Sequence, residues 1–187
     1  MNNNDGAYGI IGVIVVVALI GWAFISNSSQ QKEANLETVS SAVSDINNQI
    51  DELHTLASNI YGKIDDECTW QANELSGNIG DVCSSNTTNS YSLDDRSSYG
   101  IHETTYTSML EDGSTIEDVV SEMVDDANAN YAKIIDTMDG ITSALDDQCS
   151  WIEGNIDDEI ASQCYDAGDG FDYEWRSPFK TYNYLET

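Results

Sequence analysis

Residues 36–64 read LETVSSAVSDINNQIDELHTLASNIYGKI, and their apolar residues Leu36, Val39, Val43, Ile46, Ile50, Leu53, Ala57, Ile60 and Ile64 fall alternately three and four apart. That unbroken heptad, with no proline inside it, predicts one long helix bearing a single apolar stripe, of the kind that packs in coiled coils and helix bundles. The stripe recurs. Val120, Val124, Ala127, Tyr131, Ile134, Met138, Ile141 and Leu145 keep its phase, and the whole stretch from Val39 to Cys83 reappears as Val120 to Cys164. The match is densest at Ile64-Asp65-Asp66-Glu67-Cys68-Thr69-Trp70 against Leu145-Asp146-Asp147-Gln148-Cys149-Ser150-Trp151, and each copy places its second cysteine, Cys83 or Cys164, at the same interval after the first. A duplicated unit that keeps its apolar spacing and its cysteine interval reads as an architectural module rather than an active site used twice. The expected fold class is all-α: an N-terminal transmembrane helix followed by a duplicated long-helix (coiled-coil or bundle) ectodomain with disulfide-closed loops.

The positions flanking the stripe usually carry Glu and Lys in two-stranded coils. Here they hold Ser40, Asn47, His54 and Tyr61 on one side and Ala42, Gln49, Leu56 and Lys63 on the other, while acids such as Asp45, Asp51, Asp125 and Asp126 lie further round. The apolar face is thereby widened, which favours bundles of three or more helices. Val43, Ile46, Ile50, Leu53, Ile60, Val124, Tyr131, Ile134 and Ile141 are accordingly expected to form an interface, in a homo-oligomer or with other structural subunits.

After each stripe comes a cysteine segment, CTWQANELSGNIGDVC (68–83) and CSWIEGNIDDEIASQC (149–164). In one straight helix the two cysteines would lie about 22 Å apart, whereas a disulfide tolerates roughly 4.4 to 6.8 Å between Cα atoms. Either each segment folds back on itself or the bonds run between copies. An ancestral single unit would close on itself, which favours Cys68 with Cys83 and Cys149 with Cys164. Gly77, Gly80 and Gly154-Asn155 are the expected break points, and Trp70 and Trp151 are expected to pack over the bridges. Zinc would require closer cysteine pairs or neighbouring histidines, and His54 and His102 are remote in sequence.

From Gly6 to Gln31 there is no charge, and Tyr8 to Ile25 is continuously apolar apart from small glycines. Eighteen residues rise about 27 Å, close to the hydrocarbon thickness of a bilayer, and Tyr8 and Trp22 sit near the ends, where amphipathic rings favour the interface. The expectation is a tail at 1–7 and an uncleaved anchor at 8–26, because a cleaved signal peptide would have a basic start and an Ala-x-Ala-like end. Gly6 before the apolar run also resembles the processing site of type IV prepilins, although the leader lacks Lys and Arg and Ile11 stands where a glutamate is typical. Lys32 is the one base near either end of the span, so charge says little about orientation. Paired cysteines place the C-terminal part outside the cytoplasm.

The whole chain carries 34 acids against 6 bases, a formal charge of −28. Such a surface excludes nucleic acid as a partner, since phosphate recognition needs the opposite sign. It repels itself unless salt screens it, the composition expected of a protein working in brine or of one soaked in divalent cations. Between helical repeat 1 (30–83) and helical repeat 2 (114–164), the polar stretch 84–113 reads as a linker loop, with Tyr99 to Met109 alternating enough for a strand. Asn86-Thr87-Thr88 and Asn27-Ser28-Ser29 are N-glycosylation sequons.

The last segment, 165–187, is dense in aromatics, and Trp175, Phe179, Tyr182 and Tyr184 are expected to dock on the bundle itself or on a neighbour. Asp166, Asp169, Asp172 and Glu174 are spaced like a loose calcium loop but miss the EF-hand pattern; they are the candidate ligands for bound Ca or other cations, and no other cofactor is expected. The Asp65-Asp66 and Asp146-Asp147 pairs are read as helix caps. Neither a nucleophile triad nor a phosphate loop occurs, so no enzymatic activity and no small-molecule substrate are expected. The functional expectation is a membrane-anchored structural or interaction protein, a halophilic surface or virion component such as a spike, stalk or capsid-membrane linker. An accessory subunit of a larger membrane complex, or a pilin-like filament subunit, is the alternative.

Overall fold

In the computed structural model the heptad stretch lies within one helix, α1 (Asp5–Glu74), followed by α2 (Gly77–Asn86), a 3₁₀ turn (Arg96–Ser98), α3 (Glu103–Glu111), α4 (Ile116–Asn155), α5 (Asp158–Gly168) and α6 (Tyr182–Leu185). The structure describes the backbone of residues 5–168 and 179–185, and side chains within 29–167, 179–181 and 183–185. The described residues are all-helical, with no strand among them.

The two long helices break at matching places. Glu74 and Asn155 end them, and Gly77 and Asp158 begin the short return helices, each pair standing at equivalent positions of the sequence repeat. The signal for the break is a helix cap rather than the expected glycines. The Ser76 hydroxyl accepts from the Ile79 amide at 3.3 Å, and Asp157 Oδ1 accepts from the Glu159 and Ile160 amides at 2.8 and 3.3 Å. Both side chains satisfy amide groups that a helix start leaves open. Disulfides tie each hairpin, Cys68 to Cys83 and Cys149 to Cys164, with Cα atoms 5.3 and 5.5 Å apart. Gly80 lies inside α2, where a β-carbon would come within 2.3 Å of Ala72 Cβ. Its missing side chain is what lets α2 lie so close against α1.

Beyond its hairpin the chain runs back along α1. Tyr61 donates to the Thr88 carbonyl at 2.6 Å, His54 to that of Asp94 at 3.0 Å, and Arg96 forms a bidentate ion pair with Asp51. Asn47 then grips Ile101 from both sides, donating to its carbonyl at 3.0 Å and accepting from its amide at 2.8 Å. The expected strand does not form: Tyr99 and Ile101 are buried, but Tyr99 closes the 3₁₀ turn in the αR region and a side-chain amide, not a partner strand, holds Ile101. From Glu103 onward the segment is helical, because Tyr106 and the half-buried Met109 and Leu110 repeat at helical spacing. The stretch 84–113 is thus about half helix, at 84–86, 96–98 and 103–111, and half turns and irregular backbone laid along α1. Gly113, at φ +98°, closes α3 in the left-handed region that glycine alone enters at no steric cost, and Thr115 caps α4 by accepting from the Asp118 amide.

Gln148 of α4 meets Gln71 of α1 at one end, while Tyr184 reaches Asp45 and Phe179 reaches Asn128 at the other, so the long helices run parallel. Val39, Ile46, Ile50, Ala57, Ile60 and Ile64 are buried with Val120, Ala127, Tyr131, Ile134, Met138, Ile141 and Leu145 in one core. The stripe expected to join separate chains is thus spent inside a single chain: α4 supplies to α1 the apolar face that a second copy would have supplied, and α2 and α5 complete the cover.

Candidate functional site

Two places depart from a plain apolar bundle. The first is a buried polar chain where the units meet beside the bridges. Gln148 Nε2 donates to Gln71 Oε1 at 3.2 Å, and Gln71 Nε2 donates to Glu67 Oε1 at 3.1 Å and to Cys164 Sγ at 3.3 Å. On the other bridge, the Thr87 hydroxyl lies 3.4 Å from Cys68 Sγ and donates to the Cys83 carbonyl at 2.7 Å. Glu67 and Gln148 are counterparts in the duplication, yet only the first can ionise. Burial raises the Glu67 carboxyl above its ordinary 4.5, and the bond from Gln71 lowers it by less. A group raised in the folded state favours folding below its unfolded value, and that contribution fades as pH climbs through the folded value. Glu67→Gln is accordingly expected to match the wild type near pH 4 and to melt progressively higher than it as pH rises to 7. A melting-temperature difference that stays constant across this range would refute an uncompensated buried carboxylate.

The second place is a groove of ≈ 600 Å³ between α2 and α4, lined by Ile79, Val82, Ala144, Trp151 and the buried Gln148 and rimmed by the exposed Asn78, Asn86 and Asp147. Val82 is 49% and Trp151 47% exposed. Trp151 does not plug its bridge as expected, because a residue two places after a cysteine lies about 200° further round the helix and faces away from it; Trp70 is half-buried. The bridges are covered by Gln71 and Thr87 instead. Comparison of the chain with family models, with curated proteins and with solved structures found no match.

The aromatic tail docks on its own bundle at the two residues described. Phe179 is buried edge-on against Tyr131, with ring centroids 5.9 Å apart. Asn128 grips it as Asn47 grips Ile101, donating to its carbonyl at 3.2 Å and accepting from its amide at 3.3 Å. Five residues past each gripped residue, a tyrosine crosses to the other unit: Tyr106 donates to Asp126 at 2.8 Å and Tyr184 to Asp45 at 3.2 Å. Burial, with Asp45 alongside, pushes the Tyr184 hydroxyl up to about 12, and burial beside Asp126 raises that of Tyr106. Both hydroxyls therefore remain donors across the physiological range, each ending a strap in which an asparagine grips the backbone and a tyrosine five residues on crosses to the other unit. Asn47 with Asn128, and Asp45 with Asp126, are counterparts in the duplication, so the two straps are equivalent.

Trp175, Asp169, Asp172 and Glu174 lie outside the described residues, as does the side chain of Tyr182; Asp166 is exposed on α5. Among the described residues, no three His, Cys, Asp or Glu side chains gather as a metal site. Asp65-Asp66 and Asp146-Asp147 do not cap, since α1 and α4 run on past them to Glu74 and Asn155. His102 is exposed at the start of α3. No helix among the described residues is long and apolar enough to cross a membrane. The run 8–26 falls within the helical backbone of α1, but its side chains are outside the described set.

Proposed function

We propose that this chain is a non-enzymatic structural or interaction protein, held in a membrane by residues 8–26, whose acidic, disulfide-bonded helical domain stands outside the cytoplasm as a surface or virion component in a saline environment. The observation that carries the reading is continuity. The apolar run and the heptad stretch belong to one uninterrupted helix, Asp5–Glu74, and the first fully buried position of the bundle is Val39. From Ser26 to Val39 the helix rises about 20 Å, and residues 29–34 within it are exposed. A bundle joined to an anchor by such a segment stands off the surface like a spike or stalk. Two disulfides support an oxidising compartment.

The test is fractionation in molar NaCl. Full-length protein is expected to stay with membranes through alkaline carbonate washing, and a variant beginning at Gln30 to be released while keeping its helical spectrum. Release of the full-length chain by carbonate would sink the anchor.

Salt gives an independent check. Among the described residues one ion pair, Arg96 with Asp51, offsets the acidic surface, so repulsion among the remaining carboxylates falls on the folded state unless screened. Raising NaCl from about 0.1 M to about 2 M is expected to lift the melting temperature by on the order of 10 °C. A flat profile would argue against a saline habitat.

A further inference from the structure

The two units differ on one face. The groove between α2 and α4 has a counterpart between α5 and α1, reached by exchanging each residue for its equivalent in the other copy. Val82 becomes Gln163, Ala144 becomes Lys63 and Asn86 becomes Ala167. Gln163 and Lys63 are exposed polar side chains, and Trp70 is more covered than Trp151, which is about half exposed. One face has therefore become ordinary polar surface. The other keeps an apolar floor open to water, with Val82 and Trp151 about half exposed side by side.

That same face carries the acceptor. Asn86 begins the sequon Asn86-Thr87-Thr88, ends α2, is exposed, and lines the groove with Val82 and Trp151. Ala167 removes the acceptor from the counterpart, so the open apolar floor and the sequon occur together and are absent together. We infer that Asn86 bears an N-linked glycan whose first sugars lie in the groove against Trp151 and Val82.

In the attachment step the Asn86 side-chain nitrogen loses one proton to a base and bonds to the anomeric carbon of a lipid-phosphate-linked oligosaccharide. The bond from that carbon to the phosphate oxygen breaks, and the lipid phosphate leaves with the electron pair. The groove suits the product. A pyranose ring has an apolar C–H face that packs on the electron-rich face of an indole, and its hydroxyl edges meet a polar rim of Asn78 and Asp147. The volume falls within the range of about 300 to 1,000 Å³ typical of small-ligand clefts. Thr87 is turned inward by its bond to the Cys83 carbonyl, so the bridge holds the acceptor turn in place.

The inference rests on the extracytoplasmic placement proposed above, and one experiment separates the two. Full-length protein from its own source is digested without reduction and mapped by mass spectrometry, and hydroxyl-radical footprinting is run on the intact protein and on Thr88→Ala, which keeps Asn86 but destroys the sequon. The expected result is a hexose or N-acetylhexosamine series on the Asn86 peptide, with Trp151 oxidation rising several-fold in Thr88→Ala. Unmodified Asn86 with both disulfides intact overturns the glycan alone; four free thiols overturn the placement as well. Modified Asn86 with Trp151 equally reactive in both proteins overturns the seating in the groove. Trp151 equally shielded in both also overturns it and assigns the groove to a protein partner or a second copy.

Discussion

Replacing Ile46 and Ile50 together by Asp is expected to abolish the cooperative thermal transition and leave an expanded chain, rather than to separate intact copies of a folded one. Both side chains are essentially inaccessible and belong to the core that α1 shares with α4 of the same molecule. Each substitution forfeits roughly 2 kcal/mol of apolar transfer and places a carboxylate where no cation or donor waits, at a cost of several kcal/mol more. The pair together reaches the whole stability of an ordinary domain, about 5–15 kcal/mol. The charge control is Ser44→Asp with Asn48→Asp, two exposed positions on the same turns of α1, which adds the same charge and is expected to leave the fold intact. Circular dichroism and sedimentation decide the matter. A double variant that keeps its helical melt and merely halves its mass would show that the stripe joins chains after all.

That contrast marks where the sequence is legible and where it is not. A heptad stripe states that an apolar face will be buried, and the period of the pattern places the face on a helix, but nothing in it says which helix answers. Both Val39–Ile64 and Val120–Leu145 read equally well as halves of an intermolecular coil. What decides in favour of an internal pair is that the two stripes lie parallel with Gln71 beside Gln148, a long-range fact that local pattern does not carry. The disulfides are accessible because a distance argument removes the straight helix and the repeat favours closure within each unit. The turn itself lies a residue or so from where the glycines suggest, since the caps Ser76 and Asp157 set it and a cap is a quieter signal than a glycine.

The straps escape the sequence for a different reason. Ile101 with Tyr106, and Phe179 with Tyr184, keep the same internal interval, but the residues between them share nothing and the offset from one pair to the other is three shorter than that of the repeat. A repeat search in fixed register stops at Cys164. The readable trace is on the helices, where Asn47 and Asn128 stand beside the stripe at matching positions and each offers one donor and one acceptor, the pair of groups needed to hold an extended backbone. The groove is hidden for a similar reason. Val82 and Trp151 belong to different copies of the repeat and are far apart in sequence, and only the packing of α2 on α4 makes them one surface.

Removing the Cys68–Cys83 bridge, as Cys68→Ala with Cys83→Ala, is expected to cost roughly 3 kcal/mol, on the order of 10 °C in melting temperature for a chain of this size. The second bridge, removed as Cys149→Ala with Cys164→Ala, is expected to cost about the same by that chain-entropy reckoning, since both close loops of the same sequence separation, 15. The local consequences differ. Loss of the first bridge frees α2, whose close approach to α1 at Gly80 and Ala72 survives but whose end at Thr87 loses the sulfur beside it. Loss of the second frees α5 and strips Gln71 of one of its two acceptors, leaving Glu67 as the other. Amide exchange read by mass spectrometry should therefore rise first at 77–86 in one variant and at 158–168 in the other, with the core of α1 and α4 protected in both. Removing both bridges takes away roughly 6 kcal/mol, a large part of what such a domain holds, and is expected to lower the transition below that of the wild type by about the sum of the two single shifts. Exchange that rises uniformly along the chain in either single variant would mean that the hairpins do not open on their own. The bridges would then stabilise one cooperative bundle rather than two separately tied units.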